Sequence, residues 1–273
     1  MELGSLGREL LVNINGENLM PYLDLPHNPN FEIVSKESKH WINDYETYLN
    51  DKEQAKIDKD AYCFGDIIPQ LLCLSSYSHY TQENIDVVIQ YLAEVTNAAD
   101  IAFDLNYKFN DPFIFYWMVI ASININKKFA QKMINIFDDD IFNNGFITDL
   151  LRSFLSVLLA FLDDKPLLTI KKELRVLRKL VNVNIKEVGR RSEESKRFDS
   201  LLSILEAIII SDQNKLTTAL DKRLKFWVNE ASKEEYSNMP YFLLDLELTA
   251  ILSFKMDTFF HNKIKNPYIL KRP

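Results

Sequence analysis

The residue types that could do chemistry in this chain are few: one acidic turn, four histidines, two cysteines and two carboxylates set in an apolar stretch. The turn Asp138-Asp139-Asp140-Ile141-Phe142-Asn143-Asn144-Gly145 uses the residues of a calcium loop. With Gly145 at the sixth position of such a loop, Asp140 falls first, but Phe142 falls third and Leu151 twelfth, and hydrocarbon cannot ligate a hard cation. What remains is an acidic surface element, which Asp149, Asp163 and Asp164 are expected to join around the next helix. The histidines, His27, His40, His79 and His261, have no second histidine at the spacing that zinc sites use, so each reads as a surface or turn residue. No arginine precedes a histidine by four to six residues, as it does in helical ribonuclease domains of prokaryotic defence systems. Cys63 and Cys73 are too few for a disulfide framework and read as buried, unreactive small hydrophobes.

A glycine-rich phosphate loop, a nucleophile elbow and a Walker lysine are all missing from the row. The sequence therefore names no catalytic, cofactor-binding or metal-ligating residue, and the expectation is a protein that is not an enzyme and needs no cofactor. A constellation assembled from distant helices would leave no such trace, so an enzyme stays as the third reading. Asp245 and Glu247 remain open between structure and function. They sit where Met239 to Phe260 is apolar nearly all round, and a carboxylate there must reach water or meet a hydrogen-bonding partner.

Helices must position all of this. Six glycines in 273 residues are too few for a fold of tight β-turns. Residues 1–30, with Pro21, Pro26 and Pro29, read as an irregular arm. Beyond it Val34, Trp41, Tyr45 and Tyr48 keep helical spacing, a second helix spans Asp66 to Leu74, and Thr81 is placed to cap a third striped by Val88, Leu92 and Ala99. Asp111-Pro112 opens an aromatic helix whose density predicts burial and assigns Trp117 to the core. A short helix carries Phe129 and Met133, Thr148 caps another, and Pro166 opens one in which Leu167, Ile170, Leu174, Leu177 and Val181 face inward. The polar run 183–194 is the candidate for a long loop or internal boundary. After it, stripes from Phe198 to Ile208 and from Leu216 to Trp227 are separated only by Ser211, Asp212 and Gln213, which predicts an antiparallel hairpin. The fold expected is all-α, with about ten helices in an irregular array of antiparallel hairpins, either α-solenoid-like or an orthogonal bundle. Residues 31–273 then form one domain.

Charge is unevenly spread. The net charge is −7, but residues 1–164 hold 11 basic against 25 acidic residues, whereas 165–225 hold 15 against 8. The acidic balance argues against direct nucleic-acid binding and suits a basic protein partner. No apolar run approaches the roughly eighteen residues of a membrane span, and no basic segment precedes an apolar one at the N-terminus, so a cytoplasmic protein without membrane contact is expected.

One stretch supports a more specific expectation. LLSILEAIIISDQNKLTTALDKRLKFW, followed by MPYFLLDLELTAILSF and the ending KNPYILK, resembles the immunity protein 49 family of bacterial polymorphic toxin systems. In that family an aliphatic helix, a short turn containing Asp and a second helix lead to an apolar helix and a terminal Pro-Tyr-Leu-like element. Asp212 matches the turn, Leu246 to Leu252 the apolar helix, and Pro267, Tyr268 and Leu270 the ending. The resemblance implies an antidote that binds a cognate protein toxin, a basic nuclease being one kind, and blocks its active surface without catalysis. Asp138, Asp139, Asp140, Asp149, Asp163 and Asp164 are then the candidate partner-binding residues. The alternative is a helical-repeat adaptor or regulatory scaffold with no enzymatic activity.

Overall fold

The computed structural model describes residues 23–57, 64–81, 85–104, 107–109, 111–137, 148–186, 190–254, 264 and 266–270. Among these the protein is all-α, with no strand. Ten α-helices follow one another: α1 (Phe31–Ile57), α2 (Phe64–Tyr80), α3 (Ile85–Asp104), α4 (Pro112–Ile125), α5 (Lys127–Asn135), α6 (Asp149–Leu162), α7 (Leu167–Asn184), α8 (Arg190–Ile210), α9 (Gln213–Ala231) and α10 (Leu246–Leu252), with a 3₁₀ turn at Pro240–Phe242 before the last. No helix among the described residues is long and apolar enough to cross a membrane.

Local signals set most of the boundaries. Asp111 accepts from the Phe113 N–H at 2.9 Å and Pro112 occupies the first turn, where its missing N–H costs nothing. Asn126 both ends α4, its N–H donating to the Ser122 carbonyl, and starts α5, its side chain accepting from Phe129 N–H. A single residue thus turns the corner. Thr148 caps α6 through Leu151 N–H at 3.1 Å, and Asp212 caps α9 through Lys215 N–H at 3.0 Å. The Thr81 hydroxyl donates back to the Tyr77 and Ser78 carbonyls at the end of α2; residues 82–84, whose N–H groups it was expected to cap, lie outside the described residues. The run 183–194 is also less open than its polarity predicts, because α7 continues to Asn184 and α8 begins at Arg190.

Each helix packs on the next from α1 to α9. Asp199 meets Lys222 and Ser200 meets Arg223, residues nearly equidistant from the Ser211–Asp212 turn, so α8 and α9 form the antiparallel hairpin expected. Helix α4 lies at the centre against α2, α3, α5 and α10, and ten of its residues are buried. One apolar cluster runs from Tyr45 to Leu270 and includes Leu174, Leu177 and Val181 of α7 together with Phe198, Leu201 and Leu205 of α8. A second cluster gathers Leu25, Val34, Tyr80, Trp227, Leu243 and Tyr268, where residues 23–30 and 266–270 cross the body. Leu167 does not join the α7 core stripe; it sits in the first turn and is exposed.

Of the apolar stretch after Met239, residues 243–252 are buried, yet the helix there is only seven residues long, and residues 255–260 lie outside the described residues. Pro240 starts a 3₁₀ turn, and Asp245 becomes an N-cap rather than a helical residue, its Oδ1 accepting from Leu248 N–H at 3.0 Å. All seven residues of α10 are buried, against α4 and α8.

Candidate functional site

Burying α10 takes Asp245 and Glu247 fully out of water, a cost of several kcal/mol per ion unless cations come with them. Two arginines do. Arg223 of α9 clamps Asp245 bidentately, Nε to Oδ2 at 2.7 Å and Nη2 to Oδ1 at 2.8 Å, and Nη2 also donates to Glu247 Oε2 at 2.8 Å. Its Nη1 donates to Ser200 Oγ at 3.0 Å. Arg197 of α8 approaches from the other side, its Nε 2.9 Å from both Glu247 oxygens. The Tyr116 hydroxyl of α4 donates to Glu247 Oε1, and its ring lies edge-on to Phe154 and Phe198. Two cations and two carboxylates cancel, and one network ties α4, α8, α9 and α10 together.

The electrostatics follow from these contacts. Burial alone would push the Glu247 carboxyl up, but Arg197, then Arg223 and the Tyr116 hydroxyl, hold it below the usual carboxylate range. Burial opposes the charge on Arg223, yet Asp245 and Glu247 hold its guanidinium above the ordinary arginine range. Tyr116 is raised well above its usual value by burial and by the Glu247 charge, so it stays a donor. Every oxygen of the two carboxylates accepts from a protein donor. Neither is free to take a substrate proton, so the arrangement is a clamp and not an acid–base pair.

Its outer edge is different. Arg197 keeps 23% of its side chain exposed, and only Nε is engaged. No hydrogen bond joins Nη1 or Nη2 to another described residue, and neither is among the fully buried side-chain atoms left without a partner. The guanidinium lies over the Trp117 ring at 4.7 Å, and Trp117 stacks on Tyr241 at 6.4 Å and 25°. Trp117, which the density of its helix assigns to the core, is packed against the main apolar cluster but only partly buried. Phe113, Ile114 and Trp117, spaced by three and four, form the half-buried face of α4.

The six aspartates predicted to bind a partner are not one patch. Asp138, Asp139 and Asp140 lie outside the described residues. Asp149 is exposed in the first turn of α6, while Asp163 and Asp164 follow its last turn, which separates them by the length of the helix, about 20 Å. Asp163 is partly engaged, accepting from Gln131 Nε2 at 3.1 Å and facing Lys165 at 3.3 Å. Asp164 is exposed with φ 48°.

Two histidines also differ from expectation. His27 is buried, with Nδ1 hydrogen-bonded to the Tyr268 hydroxyl at 2.7 Å and the rings stacked at 5.6 Å. His79 Nε2 donates to the Pro267 carbonyl at 2.8 Å. Both hold residues 266–270 against the body, a role invisible without the long-range contact. His40 is exposed, as expected, and His261 and Cys63 lie outside the described residues. Cys73 is buried beside Tyr241, and burial pushes its thiol up to about 12, which makes it unreactive. No three His, Cys, Asp or Glu side chains converge to hold a metal among the described residues.

Arg197 and Arg223 went unread in the sequence, although a signal exists. Arg223 stands between Leu220 and Trp227 on the buried stripe of α9, and Arg197 stands one turn before Leu201 on that of α8. A cation on an inward stripe and a carboxylate in an apolar helix each need the other. No family model, curated protein or solved structure matches the chain.

Proposed function

We propose that this protein is a bacterial immunity protein, which binds a cognate secreted toxin and neutralises it by covering the toxin's active surface. One observation carries the reading. The three stretches that resemble the immunity protein 49 family follow one another in the row, separated by 11 and 10 residues, and they are joined to one another by hydrogen bonds and an ion pair. Arg223 of the α8–α9 hairpin clamps Asp245 of the apolar segment at 2.7 and 2.8 Å. The Asp245 N–H donates to the Tyr268 carbonyl at 2.6 Å, and Leu270 N–H donates to Thr249 Oγ1 at 3.2 Å.

The acidic two-thirds of the chain supplies the attraction to a basic toxin, with Asp149 and Asp164 exposed on it. Exposed charges of this kind act mostly on association rate and salt dependence. The test is co-expression with the product of the neighbouring open reading frame as the candidate toxin: the parent is expected to restore growth and to form a complex with it. Replacing Asp138, Asp139, Asp140, Asp149, Asp163 and Asp164 together with Asn is expected to leave helix content intact and to slow association roughly tenfold or more at low salt. A toxin that kills equally with and without the chain refutes the antidote reading and returns the molecule to an adaptor. An Asn variant that binds as fast as the parent removes the acidic residues from the interface.

A further inference from the structure

We propose that the free edge of Arg197, mounted over Trp117, is a docking site for a carboxylate carried by a protein partner. The inference rests on the protein-binding reading for the bearer of that carboxylate, but its geometry is independent of the resemblance.

A surface arginine is normally a mobile, hydrated charge, and ordering it on binding costs rotamer entropy. Arg197 is already ordered. Nε is fixed by both oxygens of the buried Glu247 at 2.9 Å, and the guanidinium plane is held over Trp117 at 4.7 Å. What the fold leaves over is the Nη1–Nη2 edge, two parallel donors with no partner among the described residues, on a side chain still 23% exposed. That edge matches the two oxygens of a carboxylate one for one. Glu193, one turn earlier on α8, is exposed and makes no ion pair with it among the described residues.

The surroundings select the ligand. Trp117 and Tyr241 are half-buried and stacked, so a group at Arg197 lies beside aromatic surface that excludes water and strengthens the bond. Arginine, tryptophan and tyrosine together are the residue types that dominate binding energy at protein interfaces. Charge decides between a carboxylate and a phosphate. The four-group network is neutral, with Glu247 already beside Arg197, so the site offers a hydrogen-bonding fork without surplus positive charge. A monoanionic carboxylate fits that supply. A phosphate dianion or a nucleic-acid backbone needs clustered cations, and the chain's net charge is −7.

The test uses the full chain, labelled with ¹⁵N, and three small probes: N-acetyl-phenylalanine, its carboxamide and phenyl phosphate. Trp117, Trp41 and Trp227 give three indole N–H resonances, and Trp117→Phe assigns one of them. N-acetyl-phenylalanine is expected to shift the Trp117 indole and the Arg197 Nε–H saturably at millimolar concentration, with the carboxamide at least tenfold weaker. Arg197→Lys, which keeps the charge facing Glu247 but loses the fork, is expected to weaken the carboxylate at least tenfold while the Trp227 resonance stays in place. The site is overturned if the carboxamide binds equally, if no probe saturates, or if Arg197→Lys folds and binds like the parent. Phenyl phosphate binding more than tenfold tighter than the carboxylate overturns the choice of ligand. Should Arg197→Lys not fold, the comparison of carboxylate and carboxamide on the parent still decides. None of these readings needs the toxin. A toxin neutralised as well by folded Arg197→Lys as by the parent removes the site and leaves the antidote, while a toxin the parent cannot neutralise removes the antidote and leaves the site.

Discussion

Replacing Arg223 with Met tests whether the buried network holds α10 in place. Methionine fills much of the same volume and keeps apolar contact with Trp227, over which the guanidinium lies at 4.8 Å. It removes three charge-assisted bonds, two to Asp245 and one to Glu247, and one bond to Ser200. Gross values of about 1.5–3 kcal/mol for each charged bond would sum to more than the protein can lose. The arginine's own desolvation cost disappears with it, and the net cost of breaking a buried pair is about 3–5 kcal/mol. Most of that belongs to Asp245, which keeps the Leu248 N–H but no cation, since Glu247 retains Arg197. Asp245→Asn, which keeps the capping oxygen and drops the charge, should therefore recover roughly 1–3 kcal/mol when added to Arg223→Met, although alone it destabilises. Urea midpoints followed by circular dichroism and by tryptophan fluorescence, with coincident transitions and equal slopes, give these differences. An Arg223→Met cost below about 1 kcal/mol, or a double variant whose cost is the sum of the two singles, would refute the reasoning.

Two other measurements probe the frame around the site. Burial lowers the His27 imidazole to about 4 from an unfolded value of 6.5, so folding keeps it neutral, and its contribution is full above pH 6.5 and lost as pH falls toward 4. His27→Phe keeps a ring on Tyr268 but cannot titrate; the melting temperature of the parent is expected to fall toward that of the variant between pH 7 and 4, and a gap independent of pH counts against it. Ser211, between α8 and α9, has φ 54°; Ser211→Gly relieves about 1–2 kcal/mol of left-handed strain against about 0.4–1 kcal/mol of unfolded-chain entropy, so the urea midpoint should rise by a net of roughly 0.5–1 kcal/mol, and a fall would mean that the serine is not strained.

The parts of this fold that were legible in the sequence are those decided within one or two turns of chain. Asp111-Pro112, Thr148 and Asp212 act on N–H groups two or three residues away, and each caps the helix it precedes. Thr81 shows a second local use of a hydroxyl, which can bond backward as well as forward: here it donates to the Tyr77 and Ser78 carbonyls at the end of α2. The extent of Trp117's burial was not legible because hydrophobic density around a helix does not say which arc its neighbours cover; α4 is packed on the sides facing α2, α3, α5 and α10, and the arc of Phe113, Ile114 and Trp117 lies against the core but is only partly buried. His27 was unreadable for a simpler reason: its partner, Tyr268, lies 241 residues away.

The requirement on Asp245 and Glu247 was legible, since a carboxylate among leucines must be paired, but the direction of any function was not. Geometry supplies it. If this were a site for proton transfer, the unfilled hydrogen-bonding capacity would lie on a carboxylate oxygen, able to accept. Instead both carboxylates are saturated, and the unfilled capacity lies on Nη1 and Nη2 of Arg197, groups that donate and do not deprotonate at physiological pH. The one part of the network that meets water can therefore hold an anion but cannot activate a nucleophile. The same Glu247 that needs Arg197 to remain ionised in the core also fixes the plane of the guanidinium over Trp117. Stability and recognition are joined in that residue, because the charge that keeps α10 buried is the charge that holds the fork still.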